Sequence, residues 1–384
     1  CKQRRARASI YRQDGTLPRV PNHPEEARRK TKLNHMNKFN PDMLILAREY
    51  RGMSQTALAE ALSITQATVS RYESGLIQPT PEHITKMASK LDRPEGFFFL
   101  DQRLYNASCM YHRKRKSLSV RDEKRVHAQV NELRIHATIL LADAEIESRF
   151  SFHRLDMAKL GPEGAAQMMR RMWQLPTGCV RSVVECLESA GAVVFRCPFG
   201  TPKVDGISQW PLDNPSMPPV FFVNDAVPGD RQRWTLSHEL GHIVMHHMPT
   251  DDPEDEADRF AAEFLMPARE IGSELVGLTL QKAASLKSCW KVSMAAIIRH
   301  AYRLKKISER QYRYLNMELS KRGYKKCEPV PIPPEEPQLL REVLDVHRRA
   351  HNRGAKYLSD LLQMKEDRFR DEYWRGMSGL RIAM

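Results

Sequence analysis

The sequence predicts a mainly α protein with a small β-sheet (α+β), divided into two or three domains. Three observations lead there. Apolar residues recur at three- and four-residue spacing along most of the chain after Phe39, which is the mark of amphipathic helices. Between Phe39 and Leu100 caps and glycines cut this pattern into short pieces, as in a small helical bundle. Strand-like runs are few and brief, at 192–196, 203–208 and 220–223.

In the first bundle, Met43, Leu44, Leu46 and Ala47 give a helix that Gly52 ends. Ser54 caps a second helix through Gln55, Leu58, Ala59 and Leu62, and Ser63-Ile64 makes a tight turn. Thr65 caps a third through Val69 and Tyr72, stopped at Gly75, and Pro81 opens a fourth with Ile84, Met87, Ala88 and Leu91. Two short helices joined by a tight turn and packed through Ala59, Leu62, Ile64 and Val69 form a helix-turn-helix.

The stretch Gly-Met-Ser-Gln-Thr-Ala-Leu-Ala-Glu-Ala-Leu-Ser-Ile-Thr-Gln-Ala-Thr-Val-Ser-Arg-Tyr-Glu-Ser-Gly (52–75) resembles the repressor-like XRE family. The resemblance implies double-stranded DNA, an operator, as partner, with 65–74 as recognition helix in the major groove. On it Gln66 can pair with adenine, and Thr65, Thr68 and Ser70 can meet phosphates or base edges. Arg71 suits phosphate or guanine, Ala67 shares the reading surface, and Gln55 at a helix N-terminus suits phosphate. The plainer alternative is a helical protein-binding module.

Net charge and cysteine usage agree with that partner. The 384 residues carry a net charge of +14 and a pI near 9.5, which favours a polyanion. Cys1, Cys109, Cys179, Cys186, Cys197, Cys289 and Cys327 are odd in number and scattered, as for free thiols in a reducing compartment. No apolar run approaches the roughly 18 residues of a membrane span, and no signal-peptide core is visible, so the expectation is a cytoplasmic protein without a membrane partner. Residues 1–35 read as a disordered basic arm, and Met36 looks like a natural start.

Residues 103–170 read as a basic linker and a heptad-patterned helix. Tyr111-His-Arg-Lys-Arg-Lys116 is a basic run that suits either a solvated linker or extra phosphate contacts. Val126, Val130, Leu133, Ala137, Leu140 and Ala144 alternate at four and three, a coiled-coil seam. It could pair two subunits as a homodimer on a palindromic operator, or lie against the domain that follows.

That domain, expected over 171–327, is organised around Trp234-Thr-Leu-Ser-His-Glu-Leu-Gly-His-Ile-Val-Met-His246. Its His-Glu-x-x-His pattern places His238 and His242 on one helix face, where both imidazoles reach a single Zn²⁺. Glu239 projects beside them as general base for a metal-acidified water. Leu236, Leu240, Ile243 and Val244 supply an apolar back face, so a half-buried helix is expected. Gly241 costs that helix about 1 kcal/mol relative to Ala, a cost that makes sense if something must approach closely. His246, two turns from His238, is too far for the same ion and reads, with His247, as a surface or capping residue.

A third ligand is expected from a second helix beginning at Asp252-Pro253. Glu254 can bind zinc while Asp258, four residues on, orients a ligand histidine. Glu256 is the other option. Arg-Gln-Arg-Trp-Thr-Leu-Ser-His-Glu-Leu-Gly-His (231–242) with Glu-Asp-Glu-Ala-Asp-Arg-Phe-Ala-Ala-Glu-Phe-Leu-Met-Pro (254–267) closely resembles the ImmA/IrrE zinc metallopeptidases. This implies a gluzincin-like metallopeptidase domain, and in that family the glutamate opening the second motif is the third zinc ligand, here Glu254. Asp258 stands where the family often has Asn, and either can accept a hydrogen bond.

Lys203–Ser208 could form an edge strand beside the cleft, to which a substrate strand adds by main-chain hydrogen bonds. His300 and Tyr302 carry no spacing that supports a role. Residues 328–384 read as a Pro/Glu-rich linker and helical tail, with 36–102 as the DNA-binding domain. A sequence reader joined to a peptidase is most simply a transcriptional regulator that cleaves a regulatory protein, a partner repressor or itself. Two alternatives are a peptidase fold that only senses a ligand or partner, and a protease delivered to DNA-bound substrates.

Overall fold

The computed structural model describes residues 38–105, 110–114, 118–142, 147–211, 217–248, 250–351 and 353–374. The basic arm of 1–35 lies outside them, as do Arg115 and Lys116 of the basic run and Ala144 of the heptad seam. The chain forms two compact units that interleave in sequence. Among the described residues, one takes those from 38 to 110, from 115 to 147 and from 338 to 374; the other takes 111–114 and those from 148 to 337.

The first unit holds the helix-turn-helix. Helix α1 (Pro41–Tyr50) is capped by Asn40, and α2 (Gln55–Leu62), α3 (Gln66–Glu73) and α4 (Pro81–Leu91) begin at Ser54, Thr65 and Pro81 as expected. Ser54 Oγ accepts from the backbone N–H of Ala57, and Thr65 Oγ1 accepts from that of Thr68, satisfying amides that a helix start leaves unpaired. The α2–α3 turn works because Ser63 adopts a left-handed conformation (φ 58°), reversing the chain in one residue. Met43, Leu44, Leu58, Leu62, Val69, Tyr72 and Leu91 close the core with Phe97 and Phe98.

This unit extends well beyond 102. Helix α5 (Val120–Ala142) carries the expected seam, with Val126, Val130, Leu133, Ala137 and Leu140 all buried. The burial is internal to the unit. Ala128 and Ile135 enter the helix-turn-helix core, and α5 also packs on α1 and on α13 (Leu339–His351). The helix thus has packing partners on more than one side within its own unit. A heptad pattern marks one buried stripe, and nothing in it reveals that the opposite face is buried too.

The tail helices α13, α14 (Ala355–Leu361) and α15 (Glu366–Phe369) belong to this unit through a buried ionic cluster. Glu132 on α5 receives Arg93 through Oε2 at 3.1 Å, and both guanidinium ends of Arg368 at 2.9 and 3.1 Å. Arg368 also reaches Tyr50 Oη at 2.9 Å, and His136 Nδ1 lies 2.7 Å from Tyr373 Oη. Burial alone would raise the Glu132 carboxyl, but Arg368 and Arg93 outweigh it and hold it well below the usual carboxylate range.

In the second unit, α6 (Met157–Met172) bends at Gly161-Pro162 and α7 (Val183–Ser189) leads into the sheet. Strands β2 (Val193–Cys197), β3 (Val204–Gln209) and β4 (Val220–Asn224) are almost wholly buried. β2 runs parallel to β4 with Val193 opposite Val220, and β3 runs antiparallel to β4 with Gly206 opposite Val223. A fourth strand, β1 (Met110–Lys114), lies on the other side of β3, giving the order β1-β3-β4-β2. The residues read as a linker are thus a strand, and β3 is interior rather than the edge its sequence suggested.

Helices α8 (Gly229–Met245), α9 (Pro253–Leu265), α10 (Leu280–Trp290), α11 (Met294–Arg303) and α12 (Glu309–Lys321) complete this unit around one apolar cluster. Residues 328–337, expected as a free linker, are strapped to it. Arg233 donates to Val180 O at 2.6 Å and Lys291 O at 3.1 Å and pairs with Glu335, while Lys287 pairs with Glu328 at 2.9 Å. A Cβ on Gly229 would collide with the carbonyls of Ile332 and Pro333, so only glycine lets the strap cross there.

Replacing Glu132 by Ala leaves the buried Arg93 guanidinium without its carboxylate and Arg368 with Glu372 alone, and should destabilise the first unit by about 3–5 kcal/mol. Because the folded-state pKa is depressed, the carboxylate's contribution is full above the unfolded value of about 4.3 and is lost as pH falls below it. Urea unfolding at pH 7 and at pH 3 measures both, and a loss under about 1 kcal/mol at pH 7 would show the cluster to be hydrated.

Candidate functional site

Helix α8 is buried at every position but Arg231, more deeply than the half-buried helix its apolar face suggested. The sheet, α7 and α9 surround it. Gly241 explains part of this closeness, since a Cβ there would lie 3.1–3.2 Å from Phe260 of α9. The glycine lets an aromatic ring of the neighbouring helix press against α8.

The four-residue spacing brings His238 Nε2 and His242 Nε2 to 3.1 Å from each other. Glu254, in the first turn of α9, reaches both, with one oxygen 3.4 Å from His238 Nε2 and the other 3.3 Å from His242 Nε2. Ligand atoms of these three residues lie within 4.8 Å of one another. α9 starts where it does because Asp252 accepts from the Asp255 N–H and Pro253 fits the first turn.

Around this trio the polar groups are arranged in order. Asp258 Oδ1 lies 3.0 Å from His238 Nδ1 and receives Trp234 Nε1 at 3.3 Å, while Arg299 donates to its other oxygen at 3.0 Å. With Nδ1 committed to Asp258, Nε2, the atom that faces Glu254, is the nitrogen left to bind a metal once it gives up its proton. Glu239 lies on the β3 side, where Ser208 Oγ donates to its Oε2 at 2.6 Å.

His246 is the C-cap of α8, its N–H donating to the His242 carbonyl at 2.9 Å, in keeping with a capping residue but not with a surface one. It is buried, with Nδ1 2.8 Å from His242 Nδ1 and Nε2 2.9 Å from Glu256 Oε2. Glu256, the other ligand option, therefore holds His246 and not the trio. The pattern was visible in the sequence as three histidines at successive four-residue steps. His300 binds the Met266 carbonyl at 2.9 Å and is a packing residue.

Electrostatics separate the two facing imidazoles. Burial opposes charge on both, but at His238 the hydrogen bonds to Asp258 and Glu254 outweigh it and raise the pKa to about 9. At His242 burial prevails and lowers it to about 4. Burial would raise Glu254 as well, yet its bonds to His238 and His242 hold it far below the ordinary range. Two imidazole nitrogens and a carboxylate oxygen converge, with the Glu254 side chain 57% exposed. That donor set fits Zn²⁺ with one side open to solvent.

In the helix-turn-helix, Thr65, Gln66, Ala67 and Arg71 are exposed, while Thr68 and Ser70 are half-buried. Gln66 Nε2 donates to Gln55 Oε1 at 2.7 Å, and Gln55 in turn donates to Glu73 at 2.8 Å. Glu73 is anchored by Arg48 at 2.5 Å. The two glutamines expected to meet DNA separately thus form one chain, which fixes the Gln66 amide at the start of α3.

Since His238 holds a proton near neutrality, zinc binding at pH 7 should release on the order of one proton. Calorimetry in buffers of different ionisation enthalpy reads that number. His238→Ala should abolish stoichiometric zinc, and undiminished zinc would refute the trio as the site.

Comparison with known proteins agrees with both halves of this geometry. Residues 44–98 match a family model described as helix-turn-helix, and residues 187–302 match a peptidase family model described as an IrrE N-terminal-like domain. No curated protein matches the chain. Among the described residues no helix is long and apolar enough to cross a membrane. The first match covers α1 to α4 and the second runs from the end of α7 through the His-Glu-x-x-His helix and α9. Residues 44–98 are thus an XRE-type helix-turn-helix domain and residues 187–302 an IrrE-like peptidase-family domain, carried in one chain.

Proposed function

We propose that the protein is a sequence-specific DNA-binding transcriptional regulator whose second domain is a zinc-dependent endopeptidase acting on a regulatory protein, a partner repressor or the chain itself. The observation that carries this reading is the convergence of His238, His242 and Glu254 beside a Glu239 held in place by Ser208. A domain that only sensed a ligand would need no positioned carboxylate next to the trio.

His238, His242 and Glu254 would hold the metal, and Asp258 and His246 orient the two imidazoles. Zinc, when bound, supplies Lewis acidity toward a peptide carbonyl and toward water. Glu239 takes a proton from the attacking water and delivers it to the departing amine. The Ser208 hydrogen bond keeps Oε2 fixed, so the base does not swing away between the two transfers. On the DNA side, Gln66 reads a base edge with its amide oriented by Gln55, and Arg71 contacts phosphate.

Glu239→Gln should retain zinc and operator binding and lose every new protein N-terminus that the wild type generates in cells making it. Equal cleavage by wild type and variant would overturn the assignment of the base. Gln66→Ala should cost about 1–3 kcal/mol on an operator selected from random DNA, whereas Arg71→Ala should weaken all sequences alike and reduce the salt slope by about 1. Gel-shift titrations across salt separate the two.

A further inference from the structure

The sheet has two sides on which another strand can add, and only one of them faces the site. Without β1 its edges would be β3 and β2, because the order is β1-β3-β4-β2. β3 touches the site directly. Ser208 donates to Glu239, and a Cβ on Gly206 would lie 3.6 Å from Glu239 Cγ. β2 is separated from β3 by β4.

An extended polypeptide that uses main-chain hydrogen bonds to lie beside Glu239 must therefore take the outer edge of β3. That edge is already paired to Met110–Lys114 of the same chain. The pairing is not a product of chain continuity with β3, since ninety or so residues separate the two strands and most of the intervening chain lies in other elements. The residues Met-Tyr-His-Arg-Lys also lack the alternating apolar pattern that would commit them to a sheet core.

We propose that Met110–Lys114 is an internal occupant of the substrate edge, so that the resting chain blocks its own site and a protein substrate must displace this segment as an extended strand. The inference rests on the endopeptidase reading for its consequence, but the occupancy of the edge is a binding property. Met110–Lys114 follows the helix-turn-helix directly in sequence and precedes α5, which packs on that same unit. Any event that draws on this connection acts on the occupant of the edge. The substrate competing for it is an extended peptide strand that pairs through its main chain.

The test uses the full chain with Glu239→Gln, loaded with zinc, so that no turnover is required. The probe is a fluorescein-labelled peptide spanning residues 110–116. Alternate residues of a strand donate to a given neighbour, so a chain with Tyr111→Pro and His112→Pro loses a ladder donor whichever set faces β3. A second chain replaces 110–114 by Gly and Ser to guard against misfolding caused by proline, and zinc content confirms the site in both.

The expected result is peptide binding at least tenfold tighter in both variants than in the parent, with faster amide exchange over Val204–Gln209 that the peptide reverses. Equal peptide affinity in parent and variants, or unchanged exchange at β3, would overturn the proposal. The two readings fail separately. Peptide capture in the variants with no cleavage after restoring Glu239 removes the endopeptidase and leaves the occluded edge, whereas cleavage that the variants do not increase removes the occluded edge alone.

Discussion

The second unit depends on burying polar groups in helix α8 without leaving them uncompensated. An imidazole in an apolar interior must find a partner for each nitrogen or lose several kcal/mol. α8 solves this with facing elements. Asp258 takes Nδ1 of His238, the His246–Glu256 pair takes Nδ1 of His242, and Glu254 faces both remaining nitrogens. The outcome is two nitrogens and a carboxylate aimed at one point. The requirement for satisfaction and the requirement for a metal ligand set are met by the same residues, which is why α9 must begin at Asp252 and pack against Gly241.

Helix caps and short-range spacing made much of the fold legible in the sequence. The starts of α2, α3, α4 and α9 follow from Ser54, Thr65, Pro81 and Asp252-Pro253, which is local chemistry. The grouping of His238, His242 and Glu254 follows from helical periodicity plus a second motif, and the geometry brings them together. What was not legible depends on long-range packing. The seam of α5 shows one buried face in its spacing and conceals the other. The place of β1 beside β3 is fixed by pairing across a large separation, and a basic run gives no sign of it. The spacing of His246 from His238 speaks to a shared ion and gives no sign of the hydrogen bond that His246 makes to His242.

The same distinction explains the tail. Residues beyond 338 carry helical spacing and no chemical motif, so composition alone suggests an appendage. Their role is set by charge. Burying Glu132 requires cationic partners, and one of the two, Arg368, comes from the tail. Neutralisation of a single carboxylate on α5 thus closes the helix-turn-helix unit with residues more than two hundred positions away. Such closure is costly to break and specific in register, since a displaced tail leaves the carboxylate with Arg93 alone.

Interleaving has a consequence for what hydrolysis of the chain could accomplish. The two family matches are contiguous stretches, but the units are not, because the chain enters the second unit at 111–114, returns for α5, enters again at 148 and leaves after 337. Cutting one connection would leave every other connection intact and the α5–α1 and tail packing undisturbed. Release of the helix-turn-helix from its partner domain would need several cuts, whereas a single cut beside β1 would free an edge of the sheet.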